Sequence, residues 1–221
     1  MIRNNKLIAA LALSAACTGA HALNDQPAVG QSATTSFATA PGAHFILNGG
    51  LTYGGDTLVT VNYSDGSSGK VKAGSFVQLG AGMLFQMQDN PVALQITANY
   101  HYDLERGSNG SVLFYRYPIE ALAYYTGNER WRLGGGVRYV ANPMRTINLN
   151  GTMYRISFDN AFGLVGEAGY AITPDFWVNV RAVLEKYQPR DYTINGAFSA
   201  NMSTSPSVNG NHLGVNFTYQ F

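Results

Sequence analysis

Cysteine is nearly missing from this chain: Cys17 is the only one, and it falls within the first two dozen residues. Beyond it neither disulfides nor thiolate metal sites can form, so burial and backbone pairing have to hold the fold. Charge is scarce as well. Asp, Glu, Lys and Arg supply 12% of the residues, about half the usual share. The formal balance is +1, and setting Arg3 and Lys6 aside leaves 12 basic against 13 acidic residues, so no strong field recruits nucleic acid. Long apolar runs are lacking after residue 16, and a spanning helix needs about 20 such residues. That argues against a helical membrane protein. The 4 histidines share no metal-ligand spacing, and His21 lies in the leader. Neither a metal nor a cofactor is expected.

What is present begins with an export signal. Residues 1–22 read as a secretory leader: Arg3 and Lys6 give a basic start, residues 7–16 an apolar core, and Ala20-His21-Ala22 a small-x-small cleavage site. A lipoprotein signal would acylate Cys17, but Ser14 stands where that pattern wants leucine. Residues 23–43, rich in Ala, Ser, Thr and Gln at their start, are expected to be a flexible periplasmic lead-in. Residues 44–221 are expected to form one barrel domain.

The last strand shows the governing pattern. Leu213, Val215, Phe217, Tyr219 and Phe221 alternate with Gly214, Asn216, Thr218 and Gln220, giving one apolar and one polar face. Upstream segments opening near His44, Val77, Val92, Leu113, Trp131, Phe162 and Phe176 repeat it. The predicted fold is all-β, an eight-stranded antiparallel up-and-down transmembrane β-barrel. Short turns near Gln88, Thr126 and Thr173 alternate with loops over residues 64–69, 103–111, 142–160 and 186–211. That asymmetry sets a periplasmic rim against an external one. Pro118 removes a ladder donor in a sheet without edges, so a bulge is expected there.

Ionisable groups test the register. Arg116, Glu120, Arg132, Arg138, Glu167, Arg181 and Glu185 all fall on the parity opposite to the apolar side chains. Lys186 is in outward register, at the external end where its stem can snorkel. A charge facing lipid near mid-membrane costs about 2–4 kcal/mol, so the seven are expected inside. Eight strands enclose a lumen just wide enough for side chains to fill, and buried ions have to pair. The expectation is a polar ion-pair plug, with Glu167 bridging toward Arg138 or Arg181. Gly80, Gly82, Gly134, Gly136, Gly163, Gly169 and Gly214 would make room for it. Tyr53, Tyr100, Tyr102, Tyr115, Tyr117 and Tyr139 would form an external girdle, and Tyr125, Trp131, Phe176, Tyr219 and Phe221 a periplasmic one.

Over residues 45–221 the chain resembles the small eight-stranded bacterial outer-membrane barrels of the OmpA/OmpX type or the OmpW-like group. The likeness rests on the alternating strands and on the terminal Val215-x-Phe217-x-Tyr219-x-Phe221 signature. It implies that these four residues are an assembly signal read by the barrel assembly machinery. Members of the class serve as structural proteins, adhesins, small-molecule conduits or lipid-modifying enzymes, and a fold does not choose among them.

A lipid-modifying enzyme of this class would need His and Ser at the lipid-facing external rim. His101 and His212 lie toward that rim but on inward parity, and Ser111, Ser207 and Glu105 on nearby loops make no compact motif with them. No catalytic residue is expected. Gly134-Gly135-Gly136 sits inside a strand, which does not suit a phosphate cradle. External Lys70, Lys72, Arg106, Arg145, Arg155, Lys186 and Arg190 could meet lipopolysaccharide phosphates, but Asp56, Asp65, Asp103, Glu105, Asp159 and Asp191 nearly balance them. The resulting reading is a non-enzymatic integral outer-membrane barrel of a Gram-negative-type bacterium. Its partners would be outer-membrane lipids, lipopolysaccharide and the assembly machinery, and its external loops would serve envelope integrity or surface contacts. A narrow solute conduit comes second and a lipid A-modifying enzyme third.

Overall fold

Period-2 alternation from residue 42 onward produces strands and, among the described residues, no helix. The computed structural model describes residues 36–63, 65–107 and 109–221. The expected leader over residues 1–22, and the lead-in as far as residue 35, lie outside the described residues.

β1 (Gly42–Gly54) ends where Gly54 and Gly55 take φ of 149° and 73°, which turns the chain out of the barrel wall. β2 (Thr57–Asn62) and β3 (Ser68–Lys72) then form a separate two-stranded sheet. The wall resumes with β4 (Phe76–Gln86), β5 (Val92–Gly107), β6 (Gly110–Tyr125) and β7 (Trp131–Leu149). β8 (Thr152–Phe158) folds back on β7, and β9 (Ala161–Thr173) and β10 (Phe176–Tyr187) continue the wall. β11 (Pro189–Ile194), β12 (Ala197–Asn201) and β13 (Val208–Asn209) precede the final β14 (His212–Gln220).

Antiparallel pairing runs β1-β4-β5-β6-β7-β9-β10-β14 and returns to β1. The closing seam spans Ile46↔Gln220 to Gly54↔His212. Just past it the Phe221 N–H donates to the Phe45 carbonyl at 2.9 Å. Closure leaves no open edge, as a barrel in lipid requires. The outer wall is apolar throughout the band: Phe162 is 78% exposed, Leu213 64% and Val180 60%. A water-soluble fold does not present so continuous a greasy surface, so the wall faces hydrocarbon. Both predicted aromatic rings of residues stand on that outer face, one at each end of the band.

Three expected loops are largely strand. Residues 103–111 are almost wholly β5 and β6, whose ladder runs on as far as Gly107↔Gly110. Residues 142–160 hold the end of β7 and all of β8, and residues 186–211 hold β11, β12 and β13. The physical reason is that these stretches project beyond the lipid. Their outer faces meet water, so the apolar alternation stops although the backbone ladder does not. Asn150-Gly151 and Asn195-Gly196, with φ of 48° and 82° and of 48° and 85°, make the hairpin tips.

Pro118 also acts differently from the expected bulge. The β5–β6 ladder lapses opposite it, between Ala98↔Ile119 and His101↔Arg116, without a change of register. The bulge lies across the next seam, where Tyr115↔Met144 is followed by Tyr117↔Ala141 and Asn142 takes φ of 48°.

Candidate functional site

The inward faces of four neighbouring wall strands, β6, β7, β9 and β10, bring the seven predicted ionic residues together in the lumen, each almost completely buried. Glu120 on β6 is the centre. Its Oε1 accepts from Arg138 Nη1 and its Oε2 from Arg181 Nη2, both at 2.8 Å. Arg138 on β7 also brings Nε to 2.9 Å from Glu185 Oε2 and donates to Gln78 Oε1 at 3.3 Å. Arg116 Nε lies 3.8 Å from the other Glu185 oxygen, which accepts a hydrogen bond from the Tyr187 hydroxyl.

Glu167 completes the chain of charge toward the short-turn end. Its Oε1 accepts from the Tyr124 hydroxyl at 2.8 Å and is 3.9 Å from Arg132 Nη2. Its Oε2 is 3.8 Å from Arg181 Nε, so it neighbours Arg181 and Arg132. Arg132 is packed against the rings of Tyr124 and Trp177 at 4.7 and 4.6 Å. Its Nε and Nη2 both donate to Asn179 Oδ1, at 3.2 and 2.9 Å.

The same-strand neighbours Arg116 and Glu120, or Arg181 and Glu185, do not form the ion pairs. Four residues along one strand is about 13 Å, too far for contact. Pairing instead reaches across the lumen from β6 and β7 to β10, and runs between directly opposed residues on neighbouring strands, Glu120 with Arg138 and Glu167 with Arg181. Glycines let it happen. A Cβ on Gly134 would sit 2.3 Å from the Tyr124 ring, and one on Gly169 would meet Asn179 Oδ1 at 2.3 Å.

A purely polar plug is not what fills the lumen. Phe114, Phe158 and Tyr187 meet edge to face at the hairpin end, with ring centroids 5.7–6.2 Å apart. Val71 and Ala73, arriving from the β2–β3 hairpin, are fully buried in the same cluster. A second apolar group, including Leu84, Leu122, Val165 and Val183, interleaves with the ions. The narrow lumen is the physical reason: inward apolar side chains too far from a carboxylate gain more from mutual burial than from facing water.

The hairpin is fastened over the mouth by polar contacts. The Lys72 N–H donates to Asp103 Oδ2 at 2.8 Å, Tyr63 Oη to Glu105 Oε2 at 2.8 Å, and Arg145 Nη1 to the Leu58 carbonyl at 3.0 Å. Burial first, then the Glu105 hydrogen bond and charge, raises the Tyr63 phenol above its ordinary value.

His101 and His212 are equally enclosed. His101 contacts Thr52 Oγ1 at 2.9 Å, Arg116 Nη2 at 3.1 Å and Arg138 Nη2 at 3.3 Å, so its ring is a packing member of the ionic core. His212 Nδ1–H donates to the Gly210 carbonyl at 2.8 Å. Among the described residues no three His, Asp or Glu side chains converge as a metal cage. Parity alone would have added Gln78, Tyr124 and Asn179 to the predicted interior. Asp103 and Tyr187 were hidden because they fall in the expected loops.

The chain matches no protein-family model and no curated protein. Solved structures similar to it include Neisserial surface protein A (NspA), at 11% identity over 81% of this chain and 97% of that one, TM-score 0.47. Ail, the attachment invasion locus protein of Yersinia pestis, shares 11% identity over 82% and 100%, TM-score 0.46. OprG from Pseudomonas aeruginosa shares 17% over 84% and 99%, TM-score 0.45. Likeness at this level carries no functional argument, and the architecture rests on the closed register itself.

Proposed function

We propose that this protein is a non-enzymatic, non-conducting barrel of the bacterial outer membrane, whose projecting hairpins serve envelope integrity or surface contacts. One observation carries the reading: a cross-lumen ionic core lies beneath an apolar cap to which the β2–β3 hairpin contributes Val71 and Ala73. Moving a solute through would require parting buried ion pairs and leaving their charges uncompensated in the lumen. The even number of wall strands, and short turns at one end against long hairpins at the other, support placement in an outer membrane with the hairpins outside. Lipopolysaccharide and outer-membrane lipids are the partners such a wall would meet. The barrel assembly machinery would read Val215, Phe217, Tyr219 and Phe221 on the closing strand.

A narrow conduit is favoured by a different observation. Buried Arg116 Nη1, Gln78 Nε2 and His212 Nε2 have no hydrogen-bond partner among the described residues, and threaded water would satisfy them. Planar-bilayer recording of the purified protein decides between the two. A silent membrane is expected, and a reproducible open state at moderate voltage would replace the plugged barrel with a conduit.

A further inference from the structure

The lipid-facing wall is not uniform. Phe76, Tyr100, Tyr102, Tyr115 and Tyr117 form one contiguous array on β4, β5 and β6, with ring centroids 5.4–6.4 Å apart. On β7 and β9 the matching level holds the single pair Tyr139–Phe162, at 5.1 Å. Immediately toward mid-membrane from the array, the small side chains of Ala81 and Ala98 leave a hollow in the wall, bordered by Met83, Phe85, Ile96 and Ile119. Farther out, Arg106 is on the same face of β5 as Tyr100 and Tyr102, and it is exposed. No Asp or Glu shares the outward face of β4, β5 or β6. On the adjoining β1, the Tyr53 ring has Lys72 Nζ, from β3, 3.9 Å from its centre.

From hydrocarbon to water this face therefore reads hollow, aromatic platform, cation. The geometry points to a site for one molecule of a phosphorylated, multiply acylated glycolipid of the lipopolysaccharide kind. An acyl chain would lie over Ala81 and Ala98, the sugar head would stack on and hydrogen-bond to the tyrosines, and a phosphate would meet Arg106. The array spans two inter-strand steps, about 10 Å, which is broad for a glycerol headgroup and suited to a disaccharide. Arg supplies the forked donors that phosphate favours. The inference rests on the outer-membrane reading above and deepens it by giving the lipid a defined wall.

Native mass spectrometry of the full protein, extracted in mild detergent and offered purified lipid A or phosphatidylglycerol, tests it. One retained lipid A is expected, with phosphatidylglycerol held more weakly. Ala98→Trp, which fills the hollow, and Arg106→Glu should each reduce retention roughly fivefold or more. Ala182→Trp, on the outer face of β10, should leave it unchanged. Heat-dependent gel mobility confirms that every variant is a folded barrel. Absence of retained lipid A, equal retention by Ala98→Trp and wild type, or phosphatidylglycerol held as firmly as lipid A would overturn the site. If the protein failed to fractionate with the outer membrane, the underlying localisation would fall instead.

Discussion

Glu120 is the residue on which the interior turns, because each of its carboxylate oxygens is held by a different guanidinium from a different strand. Four arginines share three glutamates in this core, so removing one carboxylate leaves cations without compensation. Glu120→Gln is expected to destabilise the barrel by about 3–5 kcal/mol, read from urea unfolding in lipid vesicles. Glu167→Gln should cost clearly less, since its cations stand 3.8–3.9 Å away and an amide oxygen still accepts from Tyr124. Equal losses would show that the two carboxylates contribute alike. Tyr63 makes a pH prediction. Its folded value is raised above the ordinary value of about 10. The clasp to Glu105 therefore contributes fully below pH about 10 and is lost as pH rises through the raised folded value. Phenolate absorbance should show Tyr63 ionising later than the exposed tyrosines, and Glu105→Gln should bring it down.

At the scale of the element, the inward glycines of β4 separate two kinds of close approach. A Cβ at Gly82 would stand 1.9 Å from the Ile96 carbonyl oxygen, whereas at Gly80 the nearest atom is Asn99 Oδ1 at 2.0 Å. A side-chain amide can swing away more cheaply than a wall strand can move. Gly82→Ala should consequently destabilise by about 1–3 kcal/mol, and more than Gly80→Ala, in the same unfolding assay. The reverse order would mean that the β4–β5 seam yields more easily than the Asn99 side chain. These strands were legible from alternation because one face meets lipid and the other does not. β8, β11 and β12 were not, because outside the membrane both faces admit polar residues and the period disappears while pairing persists. Their Asn-Gly tips were the remaining signal.

For the whole molecule, closure depends on β14 meeting β1. The Phe221 ring lies 5.7 Å from Phe45 and 4.8 Å from Tyr219, beside its backbone bond to β1. Phe221→Ala should reduce the heat-modifiable, folded fraction recovered from cell envelopes several-fold if the terminal strand is the recognised assembly signal. In vitro folding of the same variant into vesicles should suffer much less. A matching defect in both settings would assign the effect to the seam and not to recognition by the machinery. The β2–β3 hairpin belongs to this scale as well, since its apolar side chains become part of a core to which β6 and β8 give two buried residues each and β7, β9 and β10 one each.

Sequence by itself determined the number of wall strands, which side chains face outward and the inward placement of seven ionic groups, because a period of two leaves no freedom of face once lipid is on one side. It could not determine which carboxylate meets which guanidinium, nor that apolar rings and an incoming hairpin would share the lumen. Those depend on how strands distant in the chain are staggered around a narrow cylinder, and only closure of that cylinder decides which side chains meet across it.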